Sequence, residues 1–92
     1  MIKTFHDRET EQLYATGRSR RFQSCARQAF QKLRMISAAG NLADLGILPG
    51  NRLQPLKGDR RGQYSIRIND QYRICFEWRD DAAYDVAVTD YH

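Results

Sequence analysis

Three stretches near the C-terminal end alternate apolar with polar residues. Tyr64, Ile66 and Ile68 fall two apart, as do Tyr72, Ile74, Phe76 and Trp78, and again Tyr84, Val86 and Val88. Side chains two apart in an extended chain point to the same side. Each run therefore predicts a strand with one buried face: Tyr64–Ile68, Tyr72–Trp78 and Tyr84–Asp90. A period of two leaves little freedom in how such strands pair, because a slip of one residue turns every apolar side chain outward.

Parity fixes the connections. A two-residue turn at Asn69-Asp70 would set Ile66 against Arg73 and drive an arginine into the core. A three-residue loop, Asn69-Asp70-Gln71, sets Ile66 against Ile74 and Tyr64 against Phe76, and is the expected connection. Arg67 then lies opposite Arg73 on the other face. Like charges directly opposed repel, so an anion between them would be a gain; two solvated arginines splayed apart are the other reading. A loop near Arg79–Ala83 sets Phe76 against Val86, Ile74 against Val88 and Arg73 against Thr89. Tyr91 then falls on the polar face, diagonal to Arg73, and Asp90 on the opposite side near Tyr72.

What covers the apolar face comes earlier in the chain. Met1–Phe5 reads as a short opening strand. Asp7 can cap a helix over residues 8–16, which Gly17 ends. From Ser19 to Ala39 the residues Phe22, Cys25, Ala26, Ala29, Phe30, Leu33 and Ile36 recur at steps of three and four, the stripe of an amphipathic helix. Gln23, Arg27, Gln31 and Arg34 occupy its opposite face, and Gly40 is the expected terminator. Asn41–Leu45 suggests a helical turn, Pro49-Gly50 a turn, and Leu53–Leu56 a short strand that Pro55 confines to an edge. Lys57-Gly58-Asp59-Arg60-Arg61-Gly62 is a basic loop. The expected class is α+β, with two N-terminal helices packed on one face of a small antiparallel sheet.

Ninety-two residues with 41% apolar content suit one domain, residues 1–92. No apolar run approaches a membrane span, and the N-terminus lacks the apolar stretch of a signal peptide, so the expected location is cytoplasmic with no membrane partner. Cys25 and Cys75 have no metal-type spacing and read as two small buried or half-buried thiols.

Charge is uneven. Residues 18–73 hold twelve basic residues against only Asp44, Asp59 and Asp70, and twelve of the fifteen basic residues in the chain are arginine. Arginine offers a planar fork of donors suited to phosphate. A polyanion is the natural partner, nucleic acid being the commonest; an acidic protein, or a plainly solvated surface, is the other reading.

One surface thus collects Arg67, Arg73, Tyr91, His92 and the Lys57 loop. RNA is cut without a metal when its own 2′-hydroxyl attacks the adjacent phosphate, given a base, an acid and cations. His92, Arg73, Lys57 and Tyr91 cover those roles. A terminal histidine read by itself is more often a frayed, inert end. With two histidines and no ligand cluster, no metal and no cofactor are expected. His6, before the capping Asp7, reads as a surface residue.

Leu56-Lys57-Gly58-Asp59-Arg60, then Gly62, Ser65-Ile66, Tyr72-Arg73-Ile74 with Phe76, and the ending Asp90-Tyr91-His92 resemble the HigB-type, GraT-like toxins of the RelE/ParE superfamily. The opening Met1-Ile2-Lys3-Thr4-Phe5 fits as well. The resemblance implies a ribosome-dependent mRNA endoribonuclease that enters the A site, with 16S rRNA as part of its docking surface. It implies a HigA-like helix-turn-helix antitoxin, and contact with operator DNA only through that antitoxin. Carried onto this chain, it assigns activity to Lys57, Arg73, Asp90, Tyr91 and His92. Gln54, Arg60, Arg61 and Arg67 are the expected RNA-binding residues. Some members carry histidine at the position of Gln54, where it is credited with catalysis; glutamine transfers no proton, which leaves the base open. The alternatives are an RNA- or ribosome-binding module with weak or no catalysis, a ParE-like inhibitor of DNA gyrase, and a plain interaction protein.

Overall fold

A computed structural model of the chain describes residues 1–91; His92, one of the expected catalytic residues, lies outside the described residues. Asp7 caps α1 (Arg8–Thr16) by accepting the Thr10 N–H at 2.7 Å, and Gly17 ends it in the left-handed conformation at φ 75°. The α2 helix spans Ala26–Ala38, preceded by a single 3₁₀ turn, Gln23–Cys25. It begins later than the stripe predicts. Ser19 turns its hydroxyl onto the Phe22 N–H at 3.1 Å, and that local bond replaces a helical turn there. Phe22, Cys25, Ala29, Leu33 and Ile36 are still the buried stripe. The helix stops at Ala38 rather than at Gly40, because Asn41 and Asp44 form a reciprocal cap that opens α3 (Leu42–Gly46) and draws the Gly40 N–H to Asp44.

Four antiparallel strands follow in the order β1 (Gln54–Pro55), β2 (Gln63–Arg67), β3 (Tyr72–Arg79) and β4 (Ala82–Asp90). Pro55 sits on the edge strand, as its missing N–H requires. Ile66 pairs with Ile74, Tyr64 with Phe76 and Arg67 with Arg73. Asn69 closes the three-residue loop with its side-chain oxygen, which accepts the Gln71 and Tyr72 N–H groups at 2.9 and 2.8 Å. Leu13, Leu33, Ile36, Ile66, Ile74, Phe76 and Val86, all fully buried, form the centre of one core between the helices and the sheet.

The last hairpin departs from the expected pairing. Ile74 faces Val88 and Arg73 faces Thr89, but Phe76 does not pair with Val86. The turn is Asp80-Asp81 alone, at φ 53° and 58°, the geometry of a tight two-residue hairpin. A bulge between Cys75 and Glu77 then leaves Asp85 at φ 56° and restores the register beyond it. A shorter turn and an extra residue cancel, so Arg73 keeps its predicted partner. Between turn and bulge the parity is reversed. Tyr84 faces Glu77 on the outer side, under Arg79 at 3.7 Å from its ring centroid, and the buried residue is Ala83 instead.

The opening segment pairs through only two bridges, Ile2 with Ala83 and Phe5 with Val86, parallel to β4. It covers the free edge of β4 until the chain turns into α1. There the Thr10 hydroxyl takes over, accepting the Val88 N–H at 3.0 Å. An otherwise open edge is thus closed by backbone and then by one side chain.

Candidate active site on the outer face of the sheet

Strand pairing sets a row of residues on the face away from the helices: Gln54 beside Ser65, Ser65 beside Cys75, Cys75 beside Ala87. The row is narrow-chained, so a larger neighbour can lie over it. Arg73 does. Its Nε donates to Ser65 Oγ at 2.8 Å, and one terminal nitrogen donates to the Arg52 carbonyl at 2.8 Å. Arg52 itself is held at φ 45°, which turns that carbonyl toward the sheet face. Tyr91 closes the row from the other end. Its backbone N–H donates to the Gln71 carbonyl, its hydroxyl lies 4.0 Å from Cys75 Sγ, and its ring centroid is 5.9 Å from the Arg73 guanidinium carbon.

The electrostatics follow from this packing. Burial lowers the Arg73 guanidinium from its ordinary range, and Arg67 and Arg52 add to the effect, while Tyr91 and Cys75 oppose it. Arginine stays charged under such shifts. Burial raises the Tyr91 phenol above 10, helped by Cys75 and opposed by Arg60 and Arg73. Tyr91 is therefore a neutral phenol near neutral pH, able to donate a hydrogen bond and to stack. Burial also lowers Lys32, on α2, with Arg67 adding repulsion. Lys32 donates to the buried Asn51, whose amide nitrogen donates to the Leu45 carbonyl at 2.9 Å.

Arg73 and Tyr91 come together, with Arg60 close enough to act on the Tyr91 phenol, and Gln54 pairs with Ser65 on the neighbouring edge strand. Lys57 and Arg61 are exposed at either end of the 3₁₀ turn Gly58–Arg60, in the loop that leads from β1 to β2. Arg67 is directly opposite Arg73 but is paired with Asp70, so the two like charges have separate protein partners. Asp90 pairs with Tyr72 and accepts from the Gln71 amide at 3.2 Å, away from Tyr91. Among the described residues Arg52, Lys57, Arg60, Arg61 and Arg73 take part in no ion pair. Nor does any group of three or more His, Cys, Asp or Glu side chains gather there as a metal site.

The family model for the RelE-like toxin of the type II toxin–antitoxin system HigB matches residues 3–92. The chain belongs to the HigB-like toxins. Toxin HigB-1 of Vibrio cholerae is 40% identical over 85 residues, which is 90% of each chain. A Proteus vulgaris protein named endoribonuclease HigB is 44% identical over 41 residues, 45% of each chain. The fold is shared more widely. A YoeB–YefM complex from Staphylococcus aureus matches at a TM-score of 0.61 with 19% identity, covering 100% of this chain and 98% of the other. An Escherichia coli YafQ mutant matches at 0.62 with 8% identity, covering 98% and 93%.

Several residues of this toxin's outer face were not legible as site residues. Arg52 and Ser65 act by seating Arg73, through a backbone carbonyl and a buried hydroxyl. Alternation does place Ser65 and Cys75 on the polar face, yet both are buried there, at 0% and 2% exposure. A small polar residue on the outer face of a central strand was the available signal for something lying over it.

Proposed function

We propose that this toxin is a ribosome-dependent endoribonuclease that cuts mRNA in the A site by attack of the RNA's own 2′-hydroxyl, without a metal ion. The observation that carries the reading is a set of cations without a carboxylate partner among the described residues: Arg73 on the outer face, Arg52 beside it, and Lys57, Arg60 and Arg61 in the loop between β1 and β2. Basic groups gathered without internal compensation favour a polyanion, and an RNA strand with its phosphates is one.

In this reading Arg73 and Lys57 take the charge that builds on the scissile phosphate. Arg73 is held at two points, so its remaining donors are preorganised. Gln54, on the row beside Ser65, donates its amide to a phosphate oxygen. Tyr91 stacks on a base and donates its phenol hydrogen. His92 moves the proton by the family resemblance, and Asp90 has a supporting role at Tyr72. Arg60, Arg61 and Arg67 extend the contact to the RNA backbone and to 16S rRNA. In the reaction the 2′-oxygen forms a bond to phosphorus as its proton passes to the base. The bond from phosphorus to the 5′-oxygen breaks as that oxygen takes a proton. The products are a 2′,3′-cyclic phosphate and a 5′-hydroxyl.

The partner that restrains the toxin is a HigA-like antitoxin with a helix-turn-helix, through which alone operator DNA is reached. The matched family is that of a toxin of a type II toxin–antitoxin system, and the Staphylococcus aureus relative in fold is a YoeB–YefM complex. A run-off assay on translating ribosomes tests the activity: shortened mRNA is expected with the toxin, and intact mRNA with bound, folded toxin overturns it. Gyrase inhibition without RNA cleavage would place the chain with the ParE-like inhibitors instead.

A further inference from the structure

The outer face continues past the row that carries Arg73 and Tyr91. Between the basic loop and the N-terminal segment lies a groove of about 360 Å³, lined by His6, Arg60, Gln63, Cys75, Asp85 and Thr89 among others. That volume is in the range of small-ligand sites. Its floor is short, since Cys75 and Ala87 pair across β3 and β4. It shares Cys75 with the candidate active site, where the Tyr91 hydroxyl lies 4.0 Å from the same sulfur.

At one end His6 Nδ1 is 3.1 Å from Asp85 Oδ1. A carboxylate only accepts, so the ring donates from Nδ1, which leaves His6 Nε2 and Asp85 Oδ2 for another partner. Among the described residues neither atom has one. The pair is held from both sides. The His6 N–H donates to the Val86 carbonyl at 2.9 Å, and the Asp85 N–H to Thr4 Oγ1 at 2.8 Å. The bulge sets Asp85 at φ 56° and re-aims its carboxylate toward the groove. Arg60 lines the groove without a carboxylate of its own.

We propose that this groove is a nucleotide subsite for a base bearing an exocyclic amino group, with Asp85, oriented by His6, accepting the amino hydrogens and Arg60 taking the adjoining phosphate. The proposal deepens the RNA reading above and rests on it. Adenine, guanine and cytosine each offer an amino group on the pairing edge. Uracil offers one imino hydrogen between two carbonyl oxygens, and a carboxylate repels those oxygens. Gln63 adds one amide donor and acceptor and Thr89 a hydroxyl, so the groove has partners for the rest of the edge.

Titration of the ¹⁵N-labelled full chain with AMP, GMP, CMP and UMP, followed by NMR, tests this without ribosomes or cleavage. The His6 ring and the Asp85 and Ala87 amides are expected to shift saturably with the first three nucleotides. UMP is expected to bind roughly fivefold more weakly, the ratio that corresponds to about 1 kcal/mol. Inorganic phosphate is expected to move signals near Arg60 and to leave the His6 ring unmoved. Asp85→Asn suits the same left-handed backbone, keeps an acceptor for His6 and adds a donor, so it is expected to bring UMP within about twofold of the others. His6→Gln, at an exposed position, is expected to weaken all three amino-bearing nucleotides. No shift at His6 with any nucleotide overturns the subsite, as does discrimination unchanged in Asp85→Asn. A toxin that leaves mRNA intact yet shows these shifts loses the cleavage reading and keeps the subsite. One that cuts mRNA without them loses the subsite alone.

Discussion

Replacing Thr10 by valine removes one oxygen and keeps the shape of the side chain. Thr10 is fully buried, and its Oγ1 is the acceptor for the Val88 N–H at 3.0 Å. That amide points away from β3, past the end of the opening segment, whose last bond to β4 runs from the His6 N–H to the Val86 carbonyl. Among the described residues no strand is at hand to replace the hydroxyl, and Thr10 and Val88 are both buried. A buried donor left unsatisfied costs about 1–3 kcal/mol. In a domain of this size that corresponds to a fall in Tm of roughly 8–16 °C at about 2 kcal/mol. Thr10→Ser keeps the oxygen and loses one methyl, about 0.8 kcal/mol. Thermal and urea unfolding of the three proteins, followed by circular dichroism, gives the order: wild type, then Thr10→Ser, then Thr10→Val. A Thr10→Val protein within about 0.5 kcal/mol of wild type, or less destabilised than Thr10→Ser, refutes the view that this side chain completes the β4 edge.

Other consequences are equally open to measurement. Arg73→Ala should lower mRNA cleavage about 100-fold or more with the fold retained, and Arg73→Lys should recover only part of it, because one ammonium does not reproduce a fork fixed at Ser65 and Arg52. Tyr91→Ala should open Cys75 to thiol reagents while Cys25, with no exposed surface, stays unreactive in the folded chain. Burial raises the Cys25 thiol above 9, so the unfolded chain releases this proton first; stability should be level below pH 9, decline as pH rises through it, and lose that part of the decline in Cys25→Ala. Affinity for single-stranded RNA should fall steeply with salt, with a smaller slope in a Lys57→Ala, Arg60→Ala double variant.

Much of this architecture was legible because strand parity carries information over long distances. Once Ile66 and Ile74 had to meet in the core, Arg67 opposite Arg73 and Tyr91 near Arg73 followed. The bulge at Asp85 was not legible. In Tyr84-Asp85-Val86 the aspartate occupies an ordinary outward position, and nothing in the alternation shows that it takes a positive φ and turns Tyr84 outward. Its consequence, the meeting of His6 with a residue of the last strand, was hidden for the same reason. Ser19 deceived in the opposite sense: the apolar stripe continued through a segment whose hydroxyl bonded locally and stopped the helix from forming. The basic outer face could be read from the residues, whereas the catalytic part of Asp90-Tyr91-His92 rests on family resemblance. Structure adds that Tyr91 covers Cys75 and that Asp90 stands apart from it at Tyr72.

The central claim is cleavage of translated mRNA by its own 2′-hydroxyl on the Arg73 face. The most direct measurement is end-group mapping of mRNA recovered from a reconstituted translation reaction with wild-type toxin and with a Lys57→Ala, Arg73→Ala variant. The account predicts 2′,3′-cyclic phosphate and 5′-hydroxyl ends within translated codons for the wild type, and intact mRNA for the folded variant. Ends carrying a 5′-phosphate, or cleavage that persists in the variant, would contradict it.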